Sequence, residues 1–256
     1  MKGLEAGHLI YPDWPAPMTV RALSTTRSGG VSDGVWSSLN LGLHVGDKAD
    51  RVAENRRRLG ATIGADISIQ WLNQVHGTAV LDAGIELMSV PNADASYTQQ
   101  AGVACAVMTA DCLPVLLCSE DGSEVAAAHC GWRGLAAGVL SHAVKRFRHR
   151  PTDIMAWLGP AIGPAAFEVG ADVAMVFRER AEQQQWRARV DDALVPLGHH
   201  QYRADLYRLA RFELAALGCH QVYGGGECTF SDEARFFSYR RDGQTGRMAS
   251  VIWRTD

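Results

Sequence analysis

Three short apolar runs follow one another in the middle of the chain, at residues 102–108, 114–118 and 124–128, with only turn-length spacers between them. Runs of this length bounded by turn residues suit buried strands, although periodicity alone also admits helix. They constrain the fold more than any other feature. The remaining elements must provide cover for them, and the turns between them are fixed in place by buried structure.

The flanking sequence supplies that cover. Residues 50–59 read as a short helix with Val52 and Leu59 apolar and Arg56, Arg57 and Arg58 mostly solvated. A second helix is expected to begin near residue 132, because Leu135, Val139, Leu140, Val144 and Phe147 recur at helical spacing. Residues 153–158 read as a strand entering a Gly/Pro loop, and 170–181 and 204–217 as helices. Residues 236–240 and 248–253 read as two strands joined by an Asp242-Gly243 turn. Residues 24–34 form a turn-rich stretch around Ser28-Gly29-Gly30. Strands and helices intersperse without a regular alternation, so the expected class is α+β: one domain over residues 1–256, a mixed β-sheet sandwich covered by helices.

Composition excludes several functions. With 256 residues, 47% of them hydrophobic, the chain can bury a sizeable core, and a net charge of −3 argues against nucleic-acid binding. The longest apolar runs fall short of a membrane span. The first residues lack the apolar segment of a signal peptide. The six cysteines include no Cys-x-x-Cys pair, so reduced thiols in a cytoplasmic protein are expected. No Walker loop, GxGxxG or Gly-x-Ser-x-Gly elbow occurs.

Candidate chemistry lies where the apolar runs break. His76 stands in Asn73-Gln74-Val75-His76-Gly77, Cys112 in Asp111-Cys112-Leu113-Pro114, and His129 in His129-Cys130-Gly131-Trp132-Arg133-Gly134. Pro114 disfavours helix at the residue before it, which places Cys112 beside a turn. Two imidazoles and a thiolate make a zinc set with one open position. The same residues equally make a cysteine nucleophile with its base. Each histidine can also be a structural group and Cys112 a small buried hydrophobe. The separations from Cys112, 36 and 17 residues, are not those of a zinc finger, so any shared site must be assembled by the fold. Arg27, in a glycine-rich loop, and Arg133, in the first turn of the helix expected near residue 132, are candidate anion contacts; a solvated face is the alternative for Arg133. His44 reads as a structural residue, with a further polar pocket residue as its alternative; Arg240-Arg241 reads as a weaker anion contact or a solvated hairpin edge, and His199-His200 as surface loop.

These residues resemble the YfiH-like, laccase-domain purine nucleoside phosphorylases, formerly labelled multicopper polyphenol oxidases. The resemblance runs nearly end to end. It includes Ser24-Thr25-Thr26-Arg27-Ser28-Gly29-Gly30, Ser38-Leu39-Asn40-Leu41-Gly42, Gln74-Val75-His76-Gly77, Ala93-Asp94-Ala95, Thr109-Ala110-Asp111-Cys112-Leu113-Pro114, His129-Cys130-Gly131-Trp132-Arg133-Gly134 and Phe236-Phe237-Ser238-Tyr239-Arg240-Arg241. It implies an α+β sandwich related to Cys–His toxin deamidases and a zinc-binding set at His76, Cys112 and His129, with copper as the alternative metal. It also implies phosphorolysis of adenosine, inosine and methylthioadenosine, and adenosine deamination. Zinc lowers the pKa of a bound water to about 7, which would serve deamination; Asp111 is then the nearest carboxylate for a proton shuttle, with a turn cap as its alternative role. Cys130 departs from the family's usual alanine and is expected to set a second thiol beside the site. A metal-free Cys–His hydrolase or amidase and a copper-dependent polyphenol oxidase are the competing readings. The expected partners are purine nucleosides and phosphate, with no nucleic acid or membrane, and the expected state is a monomer or weak oligomer.

Overall fold

The computed structural model describes residues 3–85, 89–184 and 186–256, without the side chains of residues 187 and 188. In chain order its strands are β1 (Leu9–Ile10), β2 (Val20–Thr25), β3 (Ser68–Gln70), β4 (Val80–Asp82), β5 (Ala95–Thr98), β6 (Val103–Thr109), β7 (Leu113–Ser119), β8 (Val125–Cys130), β9 (Ile154–Leu158), β10 (Glu168–Gly170), β11 (Leu194–Gly198), β12 (Gln201–Ala204), β13 (Gln221–Gly224) and β14 (Met248–Arg254). The helices are α1 (Ala49–Ile63), α2 (Trp132–Ala137), α3 (Val139–Val144), α4 (Ala171–Gln183), α5 (Leu206–Ala216) and the single turn α6 (Tyr239–Asp242).

Two mixed sheets are stacked. One runs β1-β2-β14-β6-β3 and the other β13-β9-β7-β8-β5-β4; a small sheet, β10-β12-β11, stands apart from them. Side-chain alternation along each strand sorts the core into layers. Cys105 and Val107 of β6 meet Leu116 and Cys118 of β7 and Ala127 of β8 between the sheets. The intervening Ala104, Ala106 and Met108 face the other way and pack with Leu59 and Ile63 of α1. On the far side, Leu113, Val115 and Leu117 of β7 pack under Leu135, Leu140 and Phe177 of the helices. The central strands are thus covered on both faces, which is why they read as apolar runs rather than as alternating patterns. The architecture is the helix-covered mixed sandwich expected from the sequence. No helix among the described residues is long and apolar enough to cross a membrane.

Two expectations change. The helix foreseen after residue 132 is broken into α2 and α3 at Gly138, whose φ of 95° is left-handed. The predicted hairpin over residues 236–253 does not form. Phe236 and Phe237 are fully buried in irregular backbone, Tyr239–Asp242 makes a helical turn, and β14 pairs instead with β2 and β6. Both apolar patterns reflect burial, which a strand period mimics over a few residues.

Candidate metal centre

Three separate pieces of backbone converge at one end of the sandwich. Cys112 follows the bend that links β6 to β7, His129 lies near the end of β8, and His76 sits in the loop after β3. Their donor atoms all lie within 4.8 Å of one another. Cys112 Sγ is 3.8 Å from His76 Nε2, and the two imidazole rings meet edge to face with centroids 4.8 Å apart. The depth is graded: His129 is buried, Cys112 partly covered and His76 exposed.

The backbone is bent into unusual states to achieve this. His76 and Asp111 both have left-handed φ, 61° and 94°, which residues other than glycine seldom adopt. Asp94, wholly buried, holds the first of these. Its carboxylate accepts the backbone N–H of Val75 at 3.2 Å, His76 at 2.9 Å and Gly77 at 2.6 Å. The same carboxylate accepts His129 Nδ1–H at 2.9 Å. One buried anion therefore fixes the His76 loop and the orientation of His129, turning His129 Nε2 toward Cys112. Gln74 ties the loop to β6 by accepting the Met108 N–H and donating to the Met108 carbonyl.

Asp111 is held just as firmly. Thr229 Oγ1 donates to one carboxylate oxygen at 2.7 Å, the Arg240 N–H donates to the other at 2.6 Å, and the Asp111 carbonyl accepts the Ile162 N–H. Both carboxylate oxygens are committed to the turn that presents Cys112. The capping role accounts for Asp111, and the proton-shuttle role is set aside.

Electrostatics favour an ionised pair. Burial disfavours the Cys112 thiolate, but the His129 charge and hydrogen bonds from both imidazoles outweigh it and hold the thiol below its ordinary range. Burial likewise disfavours the His129 cation, and the Cys112 and Asp94 anions outweigh it and hold its pKa above the usual imidazole range. Asp94 is pushed up by burial and brought down further by His129 and the backbone donors. The donor set, two nitrogens and one thiolate sulfur with an outer carboxylate, has the composition of a three-ligand zinc site that keeps one position open.

The anion contacts predicted from sequence fare differently. A β-carbon on Gly131 would lie 2.7 Å from the His76 ring and 3.0 Å from Cys112 Sγ, and one on Gly134 would lie 3.0 Å from the Gly77 carbonyl. These glycines make room for the His76 loop. The helix they open, α2, has six residues. Arg133 is exposed and stacks 4.3 Å over Trp132. Arg27 lines a cavity of about 650 Å³ with Ser28, Ser37, Ser38 and Glu233. It donates to the Ser37 and Glu233 carbonyls and stacks 4.7 Å over Phe237. Its contacts thus lead to that cavity and not to the His–Cys–His set. Cys130 packs into the core beneath the helices and is not one of the three converging donors. Burial, then the nearby Cys112 and Asp94 charges, keep it a protonated thiol. His199 and His200 are exposed loop residues, as the sequence suggests.

Sequence reasoning gave no role to Asp94, although it stands in one of the matched stretches, directly ahead of β5. An acid buried at the start of a strand has no pattern of its own; only the three-dimensional return of the His76 loop reveals its use.

A family model described as multi-copper polyphenol oxidoreductase laccase matches residues 21–255. Purine nucleoside phosphorylase YfiH of Escherichia coli is 52% identical over 245 residues, covering 96% of this chain and 98% of its own. A purine nucleoside phosphorylase of Haemophilus influenzae is 47% identical, covering 95% and 98%. The crystal structure of Neisseria meningitidis protein NMB0706 superposes with a TM-score of 0.92 at 48% identity, covering 97% of this chain and all of its own.

Proposed function

Because the chain belongs to the YfiH-like laccase-domain family, we propose that it is a zinc-dependent purine nucleoside phosphorylase, acting on adenosine, inosine and methylthioadenosine and also deaminating adenosine. Residues 1–256 act as one domain, and the ligands are His76, Cys112 and His129. The observation that carries this reading is the convergence of two imidazoles and a low-pKa thiol within 4.8 Å, set in place by a buried carboxylate. The relatives' names supply the substrate class.

A zinc ion in this set supplies a Lewis acid and an acidified water. The chain's own residues do the rest. Asp94 keeps the His129 ring oriented and the His76 loop closed. The exposed edge of His76 leaves the set open on the solvent side, where a nucleoside can approach. In phosphorolysis a phosphate oxygen bonds to C1′ as the C1′–N9 bond breaks. The bonding pair leaves with the purine, which takes up a proton.

The depressed thiol also favours a second reading, a metal-free cysteine hydrolase with Cys112 as nucleophile. The two separate cleanly. Metal-quantified protein is incubated with adenosine, with and without phosphate, and adenine, inosine and hypoxanthine are resolved. The proposal expects adenine only when phosphate is present, inosine without it, and both rates proportional to zinc. Intact adenosine in both arms, or turnover indifferent to zinc with a covalent adduct on Cys112, contradicts it.

A further inference from the structure

Two arginines converge on the last residues of β6, just ahead of Cys112. Met248 pairs with Thr109, so Arg247 lies across from the bend containing Ala110. Arg56, on α1, reaches Met108, its Nη2 standing 3.7 Å from the sulfur. One segment, residues 40–44, holds both. The Leu41 carbonyl accepts Arg56 Nε–H at 2.9 Å, while the Leu41 N–H donates to the Arg247 carbonyl at 3.1 Å. Asn40 Oδ1 accepts the Arg247 N–H at 3.0 Å. The Arg247 stem lies on Gly42, where a β-carbon would come within 2.9 Å of its Cγ.

The segment ends at His44, which reaches solvent. Burial, then the positive fields of Arg247, Arg56 and His129, hold its pKa below the ordinary value. Among the described residues, neither arginine has a carboxylate hydrogen bond. Arg247 donates to the Thr245 and Gly246 carbonyls, and Arg56 to Leu41 while stacking 4.0 Å over Trp71. Burial alone brings Arg56 down to about 10. Burial also lowers the Arg247 pKa, against the opposing fields of Cys112 and Asp111, and an oxyanion beside two partly buried guanidinium groups offsets the cost of keeping them charged. Arg27 and Arg133 lack this arrangement, since one serves a separate cavity and the other lies on an exposed tryptophan.

We propose that Arg247, Arg56 and His44 form an oxyanion subsite beside the His76–Cys112–His129 set and that inorganic phosphate occupies it. The choice of phosphate rests on the phosphorolysis reading above. Arg247 is the principal contact and Arg56 the second charge. His44, at the rim, adds a donor.

The test uses the full-length, zinc-loaded protein and the variants Arg247→Met, Arg247→Lys and His44→Asn. The KM for inorganic phosphate is expected to rise about tenfold in Arg247→Met through loss of one charge-assisted contact. Lysine should recover part of this, and His44→Asn should show a smaller rise. The KM for adenosine and the zinc content should stay unchanged. An unchanged phosphate KM in Arg247→Met overturns the subsite. If that variant fails to fold, an unchanged phosphate KM in His44→Asn does so, because its side chain reaches solvent. Phosphate binding followed by calorimetry needs no turnover. Weaker binding in the variants upholds the subsite even if the wild type cleaves no nucleoside, a result that would sink the functional reading alone. Absent binding to wild type, or equal binding to all variants, sinks the subsite.

Discussion

The paired strands β5 and β8 carry a buried carboxylate at each end, and the two ends are put to opposite uses. At one end Asp94 gathers three backbone N–H groups and His129 Nδ1–H. At the other, Glu124 gathers the Arg148 and His149 N–H groups, the Tyr97 hydroxyl and His149 Nδ1–H. Both acids are almost wholly buried, both fasten a distant loop by its backbone N–H groups, and both accept a histidine Nδ1–H. They differ in what the histidine's far nitrogen meets. His149 Nε2 lies 3.3 Å from Asp121, which closes that cluster on itself. His129 instead faces a thiol and an exposed imidazole, so its cluster ends in three atoms close enough to share one ion. The same fastening device is saturated where it only holds structure and left open where a ligand can bind.

That contrast can be broken most severely at the open end. Cys112→Ala should lose activity and zinc beyond the about hundredfold ceiling for outer partners of a metal site, with its circular dichroism unchanged. Wild-type turnover by this variant would refute the assignment. The paired substitutions Asp94→Asn and Glu124→Gln come next. Asp94→Asn should lower zinc affinity about 10–100-fold as well as stability. Glu124→Gln should cost stability alone, about 2 kcal/mol by denaturant unfolding, with zinc content intact. Equal effects on zinc would erase the distinction between the two ends.

A subtler effect is pH-dependent. The Glu124 and Asp121 anions raise the His149 pKa, Glu124 most directly, so its contribution to stability is full below 6.5 and fades as pH rises through the elevated folded value. Burial pushes Glu124 up, but its hydrogen bonds to Tyr97, His149 and the backbone hold it below 4.5, so its own contribution fades as pH falls through that lowered value. The melting-temperature gap between wild type and His149→Gln should therefore be widest between pH 4.5 and 6.5 and shrink in alkali; a gap that widens with pH would contradict this. Smallest of all, Cys130→Ala should cost about 1 kcal/mol for the lost buried sulfur and leave zinc content unaltered. A drop in zinc there would return Cys130 to the site.

The contrast also explains what the sequence could disclose. β6, β7 and β8 were legible because strands covered on both faces are apolar throughout. Short edge strands such as β3 and β4 were not, being half-exposed and only three residues long. His76, Cys112 and His129 were legible as chemistry-bearing residues at breaks in those runs, and the family resemblance joined them. The outer parts of the centre were hidden. Asp94 acts through backbone groups 17 to 19 residues away, and Arg247 belongs to it only through strand pairing with residues more than a hundred positions earlier. Arg27 and Arg133 looked suitable because glycines flank them, yet the glycines beside Arg133 serve the packing of the His76 loop.

X-ray absorption at the zinc edge of the loaded protein tests the central claim most directly. One sulfur and two imidazole nitrogens in the coordination shell, with the sulfur lost in Cys112→Ala, is the predicted result. A shell of nitrogen and oxygen alone in the wild type would contradict it.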